Sequence, residues 1–269
     1  MDRMSSVSTI EIVKAELNFA IDADHGGWFN NDEPDKSQQF LESFEVEIAN
    51  ARTLDSPSAF DREGFSLAAH PVQGDFYDRE WLDHVYHPSC VELVKRVTGA
   101  RDAFLFDGSR IRTSGPREGK TKDAFVTAGF AHLDIPRPQC EQYARVIGEG
   151  QGKSFKRGAI FNVWKLISPG PHDLPLTVAD QRTIAEKDHA HGETRNTDAT
   201  APYVAIVHAP EQKWYYYPDM TIADSLVFVG ENFDPEKPLG SAHTAFRHPD
   251  VTARVPRTSI EVRVVAVFE

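Results

Sequence analysis

The sequence has only two cysteines, Cys90 and Cys140, in 269 residues. Two thiols cannot form the disulfide framework of a small secreted domain, and neither sits in a Cys-x-x-Cys pair that would point to a thiolate zinc site. No run approaches the roughly 18 consecutive apolar residues of a membrane-crossing helix. The stretch from Met1 to Ile10 lacks the apolar core of a secretory signal. We therefore expect a reduced, cytoplasmic protein without membrane contact. Positive charge is also in short supply: 29 Lys+Arg against 41 Asp+Glu leave a net charge of −12. A nucleic-acid partner would call for a basic face, so none is expected. A small anionic ligand stays compatible, because one buried arginine can outweigh the global field locally. The chain also lacks a Gly-x-Ser-x-Gly elbow, a phosphate-binding glycine loop and a dinucleotide fingerprint.

What is present reads as one globular β-rich unit. The length suits a single domain over 1–269, large enough to bury a substantial core. From Ala159 onward, short runs rich in Val, Ile, Phe and Tyr alternate with Pro, Gly, Asn and Asp. These runs, at 159–167, 174–180, 203–209, 214–219, 225–230 and 259–268, predict strands. Further strands are expected at 44–50, 100–114 and 124–134, and residues 11–19 fit a strand or an irregular arm. Residues 51–75 and 115–123 read as loops. Helical spacing appears at 78–99, capped by Asp78, ended by Gly99 and split at Pro88, and again at 137–148. The polar stretch 181–200 reads as a helix-plus-loop insertion. The sum is mainly β with flanking helices, a double-sheet jelly roll of the double-stranded β-helix, cupin-like kind.

The sharpest chemical signal is His132-Leu133-Asp134. On a strand, residues i and i+2 share a face. An imidazole and a carboxylate so placed can hold one metal ion from two adjacent corners. Two histidines and one carboxylate leave coordination positions open for a co-substrate and O₂, the facial arrangement of non-heme iron oxygenases. The third ligand must come from elsewhere. His243 ranks first, because it lies between the penultimate strand and an arginine-led final strand. His172, His189, His191, His208 and His248 are the competitors, each read as a solvated or core histidine. In that final strand, Arg257 can grip a carboxylate through two parallel hydrogen bonds, and Ser259 adds a hydroxyl on the same face. The plainer reading of Arg257 is an ion pair at the surface. Trp214 and the run Tyr215–Tyr217 read first as core and surface on alternate faces. The functional alternative puts one hydroxyl, that of Tyr216, on the cofactor pocket. Arg110 and Arg112 share a strand face and could reach an anionic substrate, or simply be solvated.

The segments AHLDIPRPQCEQYARVIG, FNVWKLISPGPHDLPLTVAD, QKWYYYPDMTIADSLVFVGENFD and SAHTAFRHPDVTARVPRTSIEVRVVAVFE together resemble the cephalosporin 7α-methoxylase-related and gibberellin-desaturase-like proteins of secondary metabolism. The pieces FLFDGSRIR and GFSLAAHPVQGDFYDREWLDHVYHPSCVELVKRVTGA carry the likeness back to about Phe65. The resemblance implies an Fe(II)- and 2-oxoglutarate-dependent dioxygenase acting on an unactivated C–H bond of a small substrate, with hydroxylation, desaturation or cyclisation as outcome. It implies His132, Asp134 and His243 as metal ligands. Arg257, on the family's final-strand arginine, is implied first for the oxoacid, with Arg263 in the same strand as the second candidate, and a homodimer is compatible. The chain departs from the pattern at Gly108-Ser109 and at Trp164-Lys165, positions expected near the substrate. Two other readings remain: an oxoacid-independent iron oxidase on the same fold, and a non-catalytic jelly-roll binding protein.

Overall fold

A computed structural model describes residues 10–30, 33–195, 200–250 and 254–269. The expectations for residues 1–9 and for 196–199 within the supposed insertion lie outside them. Among the described residues fifteen strands form two sheets. The nine-stranded sheet runs β1 (Ile12–Ala20), β3 (Leu41–Asn50), β12 (Trp214–Tyr216), β9 (Leu176–Ala179), β14 (His243–Ala245), β7 (His132–Leu133), β11 (Thr200–Ile206), β10 (His189–Arg195) and β2 (Trp28–Phe29). The six-stranded sheet runs β4 (Phe65–Ala69), β13 (Asp224–Asn232), β8 (Gly158–Leu166), β15 (Thr258–Val267), β5 (Asp102–Thr113) and β6 (Phe125–Val126). The inner faces pack on each other through Phe65, Trp164 and Phe228 of the smaller sheet against Leu176 and Val178 of the larger. This is the expected jelly roll.

Two helices cover the smaller sheet. The first begins at α1 (Arg79–Trp81), where the Asp78 carboxylate accepts from the backbone N–H groups of Glu80 and Trp81. It passes through a π-helical turn, Leu82–Tyr86, into α2 (His87–Thr98) and stops at Gly99, whose φ of 68° needs a residue without a Cβ. The expected break at Pro88 does not occur. Proline comes directly after the π-helical turn, the kind of local widening at which a continuous helix accommodates a residue without an N–H. Cys90, Leu93 and Val94 of α2 bury against Val163, Val227, Val262 and Val264. The second helix, α3 (Arg137–Gly150), packs Cys140 and Ala144 on Phe104, Ile160 and Val265.

Three local readings are corrected. Residues 124–134 do not form one strand: β6 joins the smaller sheet and β7 the larger, so this segment crosses between them. Residues 51–75 contain β4, an edge strand paired with β13. The 181–200 stretch carries no α-helix among its described residues. It holds two short 3-10 turns and β10, antiparallel to β11. The buried positions of β10 are Ala190 and Gly192, too small to produce a hydrophobic alternation. A Cβ on Gly192 would stand 2.6 Å from the Tyr203 ring, so that close approach requires glycine.

Strand parity on β8 decides the fate of Lys165. Asn162 and Trp164 point between the sheets, so Lys165 points the other way. Its Nζ donates to the carbonyl oxygens of His70 (2.7 Å), Ile222 and Asp224 (3.3 Å). Complete burial pushes its pKa down to about 8. Lys165 therefore ties the loops beside β4 and β13 to the sheet, and the expectation that it touches substrate fails on direction. Replacing Lys165 by Met leaves those carbonyls without their donor. We predict a loss of about 1–3 kcal/mol in urea unfolding. An unchanged unfolding midpoint would contradict the structural role.

Candidate metal centre

His132 and His243 come together because β7 and β14 pair antiparallel with these two residues directly opposite each other. Their rings are 4.4 Å apart. Asp134, two residues beyond His132, points to the same side, with its Oδ1 4.0 Å from His132 Nε2. One ligand atom from each of the three side chains lies within 4.8 Å of the others, and no other such cluster appears among the described residues. The competing histidines are held elsewhere. The His172 ring meets Ser168 at 3.1 Å, His208 stacks on Phe44 at 4.1 Å, and the His248 ring lies 3.1 Å from an Arg254 nitrogen.

The donor set suits a divalent cation. His132 Nδ1 faces the Phe130 carbonyl at 2.8 Å, and His243 Nδ1 faces that of Ser241 at 3.4 Å. A proton on each Nδ1 leaves both Nε2 lone pairs free. Burial, helped by the neighbouring His243, pushes His132 down to about 4, and burial also lowers His243. Both rings are therefore neutral near pH 7, as ligands must be. Burial opposes ionisation of Asp134, but the Arg263 guanidinium, with the Asn162 hydrogen bond, overcomes it and holds the carboxyl well below its ordinary range. Phe130 and Phe228 pack 4.9 Å and 4.8 Å from the two imidazole rings and shield them.

Around this cluster lies a buried ionic network. Arg263 contacts Asp134 through Nη2 (2.8 Å to Oδ1) and Nε (3.1 Å to Oδ2), and Asp107 through Nη1 (3.1 Å). Glu261 lies 3.7 Å from the same guanidinium, and Arg110 pairs with Asp107 at 2.5 Å. Burial and Asp134 raise the Glu261 carboxyl. The expected residues divide accordingly. Arg263 is fully engaged at Asp134, whereas Arg257 is not. Arg257 is buried, donates Nη1 to the Leu174 carbonyl at 2.7 Å, finds no partner for its Nε among the described residues, and lies 5.3 Å from the Trp164 ring centre. Burial and nearby Arg112 push its pKa down to about 9. A guanidinium stays protonated, so the lowered value marks a buried cation in need of an anion. Ser259 follows, buried, on the same face of β15. Arg112 donates to the Val126 carbonyl at 2.8 Å. Tyr216 is turned the other way. Its ring packs on Phe246 at 5.4 Å behind the larger sheet, while Tyr215 joins the inner cluster. The sequence reading passed over Asn162, Asp107 and Glu261. An asparagine inside the apolar run at 159–167, and a glutamate at i+2 from Ser259 and i−2 from Arg263, were the available signals.

A family model described as "Oxidoreductase/YMDC permease-like domain" matches residues 17–268, and the chain belongs to that family. It is 27% identical to the alpha-ketoglutarate-dependent dioxygenase phiK of a fungal species, over 83% of each protein. It is 29% identical to the Fe(II)/2-oxoglutarate-dependent dioxygenase nvfI of Aspergillus novofumigatus, over 81% of each. A solved structure of the iron and alpha-ketoglutarate-dependent endoperoxidase NvfI superposes with a TM-score of 0.78 at 23% identity, covering 97% of this chain and 99% of that one. That likeness establishes the shared jelly-roll fold. Among the described residues no helix is long and apolar enough to cross a membrane.

The cluster predicts a metal-dependent thermal shift. Co(II) at about 100 times its Kd should stabilise the wild type by about 2.7 kcal/mol and raise Tm. His132→Ala and His243→Ala should each abolish the shift. A shift of equal size in either variant would place the metal elsewhere.

Proposed function

We propose that the chain is a non-heme Fe(II)- and 2-oxoglutarate-dependent dioxygenase acting on a C–H bond of a small molecule. The observation that carries this reading is the pairing of the His132–Asp134–His243 cluster with a buried, under-partnered Arg257 between the same two sheets. Three protein donors leave room on a six-coordinate ion, and a buried guanidinium supplies an anchor for a dicarboxylate. The names of the dioxygenase relatives agree with it.

In this reading His132, Asp134 and His243 hold the iron, and Arg257 with Ser259 holds the far carboxylate of the oxoacid. Bound there, ferrous iron and 2-oxoglutarate supply the activation of O₂ and the oxidising power for attack on a C–H bond. The protein's own part is placement. Trp164 covers the Arg257 guanidinium and keeps water from it. Phe130 and Phe228 keep the histidine rings dry and fixed. Arg263 holds Asp134 ionised, so that no proton has to leave when the cation arrives. Arg110, partly exposed beside Asp107, is the charged group of this network best placed to meet an anionic substrate. Arg112 is spent on Val126.

The finer resemblance, to 7α-methoxylase-related and gibberellin-desaturase-like enzymes of secondary metabolism, belongs to the same proposal. So do a single catalytic domain and a cytoplasmic location. Hydroxylation, desaturation and cyclisation are the outcomes it entails. Endoperoxide formation joins them, because the structural neighbour NvfI is an endoperoxidase.

An anaerobic titration with Fe(II) and then 2-oxoglutarate tests the proposal. The wild type should develop the weak visible charge-transfer band of the chelate. Arg257→Ala should weaken oxoacid binding at least about 10-fold, from loss of a charge-assisted pair. A band that survives in this variant with unchanged affinity would move the anchor to another residue. Iron binding without any band in the wild type would favour an oxoacid-independent oxidase.

A further inference from the structure

The two oxygens of Asp134 are not equivalent. Oδ2 accepts two hydrogen bonds, from Asn162 Nδ2 at 2.7 Å and from Arg263 Nε at 3.1 Å. Oδ1 accepts from Arg263 Nη2 at 2.8 Å and is the oxygen 4.0 Å from His132 Nε2. A carboxylate oxygen with two good donors has its lone pairs engaged, whereas one with a single donor keeps a lone pair for a cation.

Asn162 is held in that pose from several sides. It is completely buried in the middle of β8, and the register sets it beside Arg263 on β15 and Phe228 on β13. Among the described residues its Oδ1 has no hydrogen-bond partner, and it lies beside Gly230, at a bulge in β13. A Cβ on Gly230 would fall 2.4 Å from that oxygen. The bulge and the missing side chain thus make the space in which the amide turns its NH₂ group to Asp134.

We propose that Asn162, backed by Gly230, acts with Arg263 as a set of positioning residues that occupy Asp134 Oδ2, so that the carboxylate ligates a metal through Oδ1 alone. The inference rests on the metal-centre reading above. Its consequence is that one coordination position, which a chelating carboxylate would fill, is kept for co-substrate or O₂. Removing the Asn162 donor, or displacing it with Gly230→Ala, frees Oδ2 to swing onto the metal.

Mn(II) alone, on the full chain, provides the test through water-proton relaxation of the bound ion. With three protein donors the wild type should retain about three exchangeable waters. Asn162→Leu and Gly230→Ala should each drop the relaxation enhancement per bound Mn(II) to about two thirds, with the ion still bound. Arg263→Lys, which keeps the charge but not the paired donors, should move it the same way. Unchanged enhancement in every variant that folds and binds Mn(II) would overturn the proposal. So would loss of Mn(II) binding in Asn162→Leu with unaltered metal-free melting, because Asn162 would then secure the ion rather than select the oxygen. No Mn(II) binding in the wild type would instead sink the metal-centre reading itself.

Discussion

A carboxylate shut between two β-sheets with two neutral imidazoles is the constraint on which this interior is built. Asp134 would be expelled or protonated in apolar surroundings without compensation, because burying an unpaired charge costs several kcal/mol. Arg263 provides that compensation, and the demands of its five donors spread outward to Asp107 and Glu261. The backbone is shaped to match. The pairing of β15 with β5 shifts register on both sides of Arg263, where Asp107 stands opposite. Such irregularities re-aim side chains that a regular ladder would send to alternate faces. The bulge at Gly230 does the same for the amide of Asn162.

The chain is acidic overall, yet its interior holds the guanidinium groups of Arg257 and Arg263, with the half-buried Arg112 close by. The contrast has a physical reading. Surface acids set the net charge but are screened over distances of about 8–10 Å at ordinary ionic strength, whereas buried cations act at short range in a low dielectric. Arg263 is matched by carboxylates of the protein itself. Arg257 has a backbone carbonyl and an indole face but, among the described residues, no carboxylate within ion-pair distance. Under the proposed function its missing anion is the co-substrate.

Much of this was legible in the residues. His132 and Asp134 share a side because of strand parity, even though β7 is only two residues long. His243 was reachable by its position between two strands. Its place directly opposite His132 is a long-range register that no local pattern encodes. Parity also explains two misplacements. Trp164 and Lys165 are adjacent on one strand and cannot both face the interior, and the same holds for Tyr215 and Tyr216. The β10 strand escaped because its inward positions are Ala190 and Gly192, which give no apolar period to read. Asn162 was visible as a polar residue in an apolar strand, but its partner Asp134 could be known only once the sheets were facing each other.

The central question for this molecule is whether its interior couples 2-oxoglutarate to O₂. The decisive measurement is release of labelled CO₂ from 2-oxoglutarate labelled at C1, when O₂ is admitted to the anaerobic Fe(II)-loaded protein. We expect CO₂ and succinate in about equal amounts, dependent on iron. Iron that binds at His132, Asp134 and His243 but yields neither product, with or without candidate substrates, would contradict the proposed chemistry.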